Sequence, residues 1–186
     1  MDINTPVKTI YGGHYDKYLT EWTAVIEALK VDFSEFIEEI LMPREAATDV
    51  PVIHVRKSGM LAVLGRLKDG LGFSFLTDYT ATDEESEPRF RLVLQLMNPT
   101  TKARLRVKVR IADQETSPTL IPVWEGANWA EREIYDMFGI RFEGHPDLRR
   151  ILMDMRWEGH PLRKDYPLRG YQVFLTPEPL DPELLK

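Results

Sequence analysis

Apolar positions recur at helical spacing early in the chain. Tyr18, Trp22, Val25, Ile26 and Leu29 share one face, which predicts an amphipathic helix. Phe33, Phe36, Ile37, Ile40 and Leu41 repeat the helical stripe and predict a second helix. Asp32 would cap it with Glu35 in the capping-box position, Val31 and Phe36 would staple its start, and Pro43 would end it. Val50 to Val55 is rich in β-branched residues and reads as a strand. Ser58 then introduces a third helix with Met60, Leu61, Leu64 and Leu67 inward and Gly70 after its end. Three strands follow. Phe73, Phe75 and Tyr79 share a face in the first, over residues 73–82. Phe90, Leu92, Leu94 and Leu96 alternate in the next, and Leu105, Val107, Val109 and Ile111 in the last.

The acidic loop Asp83 to Pro88 and the turn Asn98-Pro99-Thr100-Thr101 separate these strands, and such short connections imply antiparallel neighbours. The expected class is α+β. A small, mostly antiparallel or mixed sheet of about four strands would carry helices packed on it. The segment Ser117 to Trp124 crosses to one more helix. Asn128 would cap that helix, with Glu131 three residues on; Ala130, Ile134, Met137 and Phe138 form its apolar face, and Gly139 stops it.

Beyond Gly139 neither periodicity continues. Phe142-Glu143-Gly144-His145-Pro146 is echoed by Trp157-Glu158-Gly159-His160-Pro161, and each echo leads into a basic pair, Arg149-Arg150 and Arg163-Lys164. Six of the thirteen prolines lie in residues 141–186. The division expected is a ragged stretch over 1–15, an α+β domain over 16–140 and an extended, Pro- and Arg-rich arm over 141–186. The arm has too few apolar contacts of its own to find an ordered place away from a partner or from the acidic helix over 128–138.

Composition narrows the function. With 43% hydrophobic and 29% charged residues, the 186-residue chain reads as one globular domain with an arm. A net charge of −6 argues against nucleic acid as a partner, since that binding rests on phosphate neutralisation. There is no cysteine, so neither a disulfide nor a thiolate-held zinc or iron–sulfur centre is available. No apolar run reaches the ~18 residues of a membrane span, and the N-terminus lacks a signal-peptide core.

His145 and His160, with Asp147, Asp165, Glu131 and Glu133 nearby in sequence, raise the question of a metal site. Their spacing matches no strong ligand motif, and Gly-His-Pro suits a turn better. Glu131, Glu133 and Asp136 have no nucleophile or phosphate loop beside them. Their favoured role is to cap the helix or to pair with Arg149, Arg150 or Arg163 as the arm folds back. Arg104, Arg106, Lys108 and Arg110 alternate outward on one strand, with Arg89 and Arg91 candidates to join them. That stripe is either a solvated face or a dock for an acidic partner. Around the same helix gather Trp124, Trp129, Tyr135, Phe138, Phe142 and Trp157, a composition typical of interface hot spots as well as of cores.

One stretch carries more than composition. Glu131-Arg132-Glu133, Tyr135-Asp136-Met137-Phe138-Gly139, Gly144-His145-Pro146-Asp147-Leu148-Arg149-Arg150-Ile151-Leu152 and Gly159-His160-Pro161-Leu162-Arg163-Lys164-Asp165-Tyr166-Pro167 together resemble the 30 kDa subunit family of the proton-pumping NADH-quinone oxidoreductases (respiratory complex I). The resemblance implies a peripheral-arm subunit without a redox centre of its own. It would pack beside the terminal iron–sulfur cluster subunit and the quinone-site subunit, at the cytoplasmic face of the plasma membrane. The implied complex uses NADH, flavin, iron–sulfur clusters and quinone; this chain would bind none of them and would have no activity alone. Glu131, Arg132, Glu133, Asp136, His145, Asp147, Arg149, Arg150, His160, Arg163, Lys164 and Asp165 carry over as fold and interface residues, with no catalytic, cofactor or metal role. The related subunit of a membrane-bound hydrogenase or ferredoxin-linked complex, and a free-standing binding or assembly module, stand as alternatives.

Overall fold

A computed structural model describes residues 16–43 and 48–169. The expectations for residues 1–15 and 170–186 fall outside them. The α+β class is as the sequence predicts. Five strands form one sheet in the order β1-β2-β5-β4-β3: β1 (Ile37–Leu41), β2 (Val52–Val55), β3 (Phe75–Asp83), β4 (Phe90–Met97) and β5 (Arg104–Ile111). A separate parallel pair joins β6 (Thr116–Pro118) to β7 (Arg141–Glu143). The helices are α1 (Asp16–Phe33), α2 (Met60–Gly65) and α3 (Ala127–Phe138). A 3-10 turn precedes α2 and a π-turn over Arg66–Gly70 continues it.

Contacts divide the chain into two compact units, Met1–Thr77 with Gln95–Lys108, and Asp78–Leu94 with Val109–Lys186. In the first, the α1 stripe is buried as its spacing predicts: Trp22, Val25, Ile26 and Leu29 all lie inside. Glu21 on the same helix accepts Asn98 Nδ2 at 3.1 Å and Thr101 Oγ1 at 2.8 Å, tying α1 to the β4–β5 turn. Met60, Val63, Leu64 and Leu67 are buried, but Leu61 is exposed, and no side chain caps α2.

The predicted second helix is not formed. Helix α1 runs through to Phe33, and residues 37–41 are an edge strand paired antiparallel with β2, Ile40 opposite Ile53 and Leu41 opposite Val52. A short run such as Ile-Glu-Glu-Ile-Leu fits either period, and here the strand partner decides. Phe36 occupies the space a side chain on Gly59 would need, which fixes the entry to β1. This strand brings the main sheet from about four strands to five.

In the second unit, Phe90, Leu92, Leu94, Val109 and Ile111 are buried, while their neighbours Arg91 and Val93 are partly exposed, as alternation requires. Phe73 and Tyr79 are buried but Phe75 is 51% exposed, so the expected shared face is broken at the start of β3. The segment from Ser117 to Trp124, expected to cross to α3, begins in β6, whose Ser117 stands opposite Phe142 of β7.

Candidate functional site

Helix α3 is the platform of the second unit. Its apolar face, Ile134, Met137 and Phe138, is buried, and the Phe138 ring meets Phe90 edge-on at 6.4 Å. Gly139 ends it with φ +81°, a left-handed position that lets its N–H reach the Tyr135 carbonyl. The predicted N-terminus needs correction. Gly126, not Asn128, is the N-cap, and no side chain caps the first turn. Glu131 is unavailable for a capping box because burial turns it elsewhere: it accepts the Thr119 hydroxyl and the Leu120 N–H, each at 2.6 Å.

The arm lies along this helix. Asp136, with no exposed side chain, is its main anchor. Its Oδ2 accepts three successive backbone N–H groups, from Ile151 at 3.1 Å, Leu152 at 2.8 Å and Met153 at 2.9 Å. Its Oδ1 pairs with Arg150 Nη1. Burial pushes the carboxyl up, but the three N–H groups and the guanidinium outweigh it and hold Asp136 below the usual range. Arg150 spans onward, donating through Nη2 to the Gly159 carbonyl at 2.7 Å. Arg132, stacked on the exposed Trp129 ring, donates to the carbonyls of Arg149 and Arg150.

The second Gly-His-Pro echo docks on the same turn of α3. His160 Nδ1 donates to the Asp136 carbonyl at 2.9 Å, and its ring lies edge-on to Tyr135. Leu162 N–H reaches the Met137 carbonyl at 3.0 Å. Beyond it stands an ionic cluster. Arg163 grips Asp113 at 3.1 and 2.8 Å and also reaches Asp165. Arg89 grips Asp83 through two nitrogens and extends Nη1 to Asp113 and Asp165. Both guanidinium groups lie over the Phe90 ring, at 5.3 and 5.2 Å from its centre. Lys164 contributes its backbone N–H, to Asp83 at 2.8 Å. The Arg89 hydrogen bonds hold the Asp83 carboxyl down at about 2, and Arg89 and Arg163 together depress Asp165 further.

The remaining candidates lie apart from this line. His145 Nδ1 accepts the Asp147 N–H at 3.0 Å, so Nε2 carries the proton toward the Asn128 carbonyl. Asp147 pairs with Arg149 at 2.9 Å, both half exposed. Glu133 is exposed. His145 and His160 thus bond to carbonyls eight residues apart on α3, about 12 Å of helix. Among the described residues no three histidine or carboxylate groups gather where a metal ion could be held. Arg89 leaves the expected basic stripe, because it turns into the ionic cluster instead. Asp83, Asp113 and Thr119 belong to these networks, and periodicity does not reveal them. Only the chance that an acid stands beside an apolar strand end points to the first two.

Such a site fastens one segment of the chain to another through backbone N–H groups, carboxylates and guanidinium forks. Residues 53–172 match the family described as respiratory-chain NADH dehydrogenase, 30 Kd subunit, and the chain belongs to that family. The corresponding NADH-quinone oxidoreductase subunit of Geotalea uraniireducens is 47% identical over 138 residues, covering 73% of this chain and 84% of the relative. That of Trichlorobacter lovleyi is 43% identical over 155 residues, covering 82% and 93%. A chain in the structure of the membrane-bound sulfane sulfur reductase, an archaeal respiratory membrane complex, superposes with a TM-score of 0.65 at 25% identity, covering 82% of this chain and 88% of that one. These relatives are subunits of an enzyme complex. Among the described residues no helix is long and apolar enough to cross a membrane.

Proposed function

We propose that this chain is a structural subunit, without a redox centre of its own, of the peripheral arm of a proton-translocating NADH-quinone oxidoreductase. It packs beside the subunits that carry the terminal iron–sulfur cluster and the quinone site, and is held through them at the cytoplasmic face of the membrane. The identity to two NADH-quinone oxidoreductase subunits across most of both chains carries this reading. The absence of cysteine supports it, since no thiolate is available to hold a cluster. NADH, flavin, clusters and quinone then belong to other chains, and the isolated chain has no activity. Residues 141–186 serve as the arm that meets the partners, and the interface draws on the exposed members of the candidate set, Glu133, Asp147, Arg149, Lys164 and Asp165.

Affinity purification of the tagged chain from detergent-solubilised membranes tests this. The other peripheral-arm subunits and NADH:quinone activity should come with it. Recovery of a hydrogenase or ferredoxin-linked assembly would reassign the complex. A monomer that brings nothing along would return the chain to a free-standing binding module.

A further inference from the structure

One buried acid of α3 takes no part in holding the arm directly. Glu131 is fully buried, and its two partners, the Thr119 hydroxyl and the Leu120 N–H, both belong to the segment after β6. Among the described residues no arginine, lysine or histidine pairs with it. The titratable group that faces it from β3 is Tyr79, also buried, whose phenol is pushed up by burial and then by the charge of Glu131. From the exit of β6 it meets the neutral hydroxyl of Thr119, while the Ser117 hydroxyl faces Tyr79. The charged neighbours on the adjoining elements point away: Arg141 and Glu143 of β7 are exposed, Glu133 of α3 is exposed, and Arg132 is spent on Trp129 and the arm.

One of the two residues that Glu131 holds, Thr119, also secures the root of the arm. Thr119 N–H donates to the Glu143 carbonyl at 3.0 Å, and a side chain on Gly144 would meet the Thr119 methyl at 3.3 Å. Strand β6 pairs with β7, and Phe142 of β7 packs edge-on against Tyr79 at 6.1 Å.

We propose that Glu131 is a proton-linked latch: its neutral carboxyl holds residues 119–121 and the β7 root of the arm, and loss of its proton loosens both. In the neutral form the carboxyl keeps its contacts with the Leu120 N–H and the Thr119 hydroxyl, and no charge is buried. The ionised form keeps two donors but leaves an unpaired charge away from water. Burial pushes this carboxyl up from 4.5 to about 7, against the pull of its two hydrogen bonds. Because the folded value is raised, the stabilisation is complete below the ordinary value and is lost as pH rises through the folded one. Opening should therefore increase about tenfold per pH unit between roughly 5 and 7 and then level off, about 300-fold in all. The latch is a property of this chain whichever complex takes it up.

Hydrogen exchange of the full chain from pH 5 to 8, corrected for intrinsic rates, tests it. Peptides covering 116–121 and 140–144 should lose protection between pH 5 and 7. In Glu131→Gln, whose amide accepts from Leu120 and donates to Thr119 with no charge at any pH, their protection should stay flat. His145, at the foot of the same loop, is present in both chains, so the difference isolates Glu131. An equal pH dependence in the variant, or flat protection in the wild type, overturns the proposal. If the variant fails to fold, infrared titration of the wild-type chain with carbon-13 glutamate follows the protonated carboxyl directly. A band surviving past pH 6 supports the latch, and its disappearance by pH 5 overturns it.

Discussion

Arg150 closes on Asp136 across fourteen residues of sequence, in a pair whose carboxylate is fully enclosed. The same carboxylate takes three backbone N–H groups from the arm, so the pair is one corner of a joint rather than an isolated ion pair. Arg150→Ala should destabilise the isolated chain by about 3 kcal/mol, because the enclosed charge loses its cation. Arg150→Lys should recover part of this, since an ammonium cannot serve both Asp136 and the Gly159 carbonyl with a planar fork. Denaturant unfolding reads the loss. Limited proteolysis should show residues 147–165 resisting cleavage in the wild type and yielding in the alanine variant. An unchanged midpoint would mean that Arg150 is held for a partner protein and not for its own helix.

Two glycines should respond in opposite directions to alanine. Gly139 has φ +81°, and an added methyl would meet the His160 ring at 2.7 Å. Gly139→Ala should therefore lose about 1–2 kcal/mol and loosen the second Gly-His-Pro turn. Gly65 ends α2 with ordinary helical dihedrals and open space around it. Gly65→Ala should gain about 0.5–1 kcal/mol by reducing the freedom of the unfolded chain. Thermal melting of both variants, with stabilities compared at one temperature, checks the signs.

Acid should release the end of the arm before it unfolds the sheet. The hydrogen bonds of Arg89, chiefly, hold Asp83 at about 2 against an ordinary 3.8, and Asp83 also accepts the Lys164 N–H. A depressed value means that the stabilisation is present above 3.8 and is lost as pH falls from there through about 2. Hydrogen exchange at Lys164 and its neighbours should accelerate over that window. Asp83→Asn should remove most of that pH dependence. Persistent protection of Lys164 below pH 2 would show that Asp83 is not what holds it.

The basic strand retains Arg104 and Arg110 as exposed cations, while Arg106 pairs with Asp49 at 3.2 Å. Reversing Arg104 and Arg110 to glutamate should weaken uptake into the membrane complex more at low salt than at high salt, because screening shortens the reach of both charges. Equal uptake of the variant at both salts, measured by the amount recovered with the purified complex, would leave the stripe as solvated surface.

Much of this protein is legible from local order. The α1 stripe, the alternation of β4 and β5 and the Gly139 stop follow from period and backbone freedom, which act within a few residues. The run from Glu131 to Pro167 is enough to suggest the family that matches over residues 53–172. The preference for pairing the helix acids with the arm also points the right way for Asp136 and Arg150.

Tertiary structure decided which partner each ambiguous segment received. Residues 37–41 became a strand because β2 offered an edge, although their spacing also suits a helix. Arg89 and Arg91 are two residues apart, yet Arg89 enters the cluster with Asp83, Asp113 and Asp165 while Arg91 pairs with Glu84. Glu131 and Asp136 are both acids of one helix, yet burial without a cation raises the first and a dense set of donors lowers the second. Periodicity is a property of neighbours in sequence. The partner of a charge is set by where the backbone returns, as Asp83 shows by meeting a residue eighty-one positions away, and that is fixed only when the chain has packed.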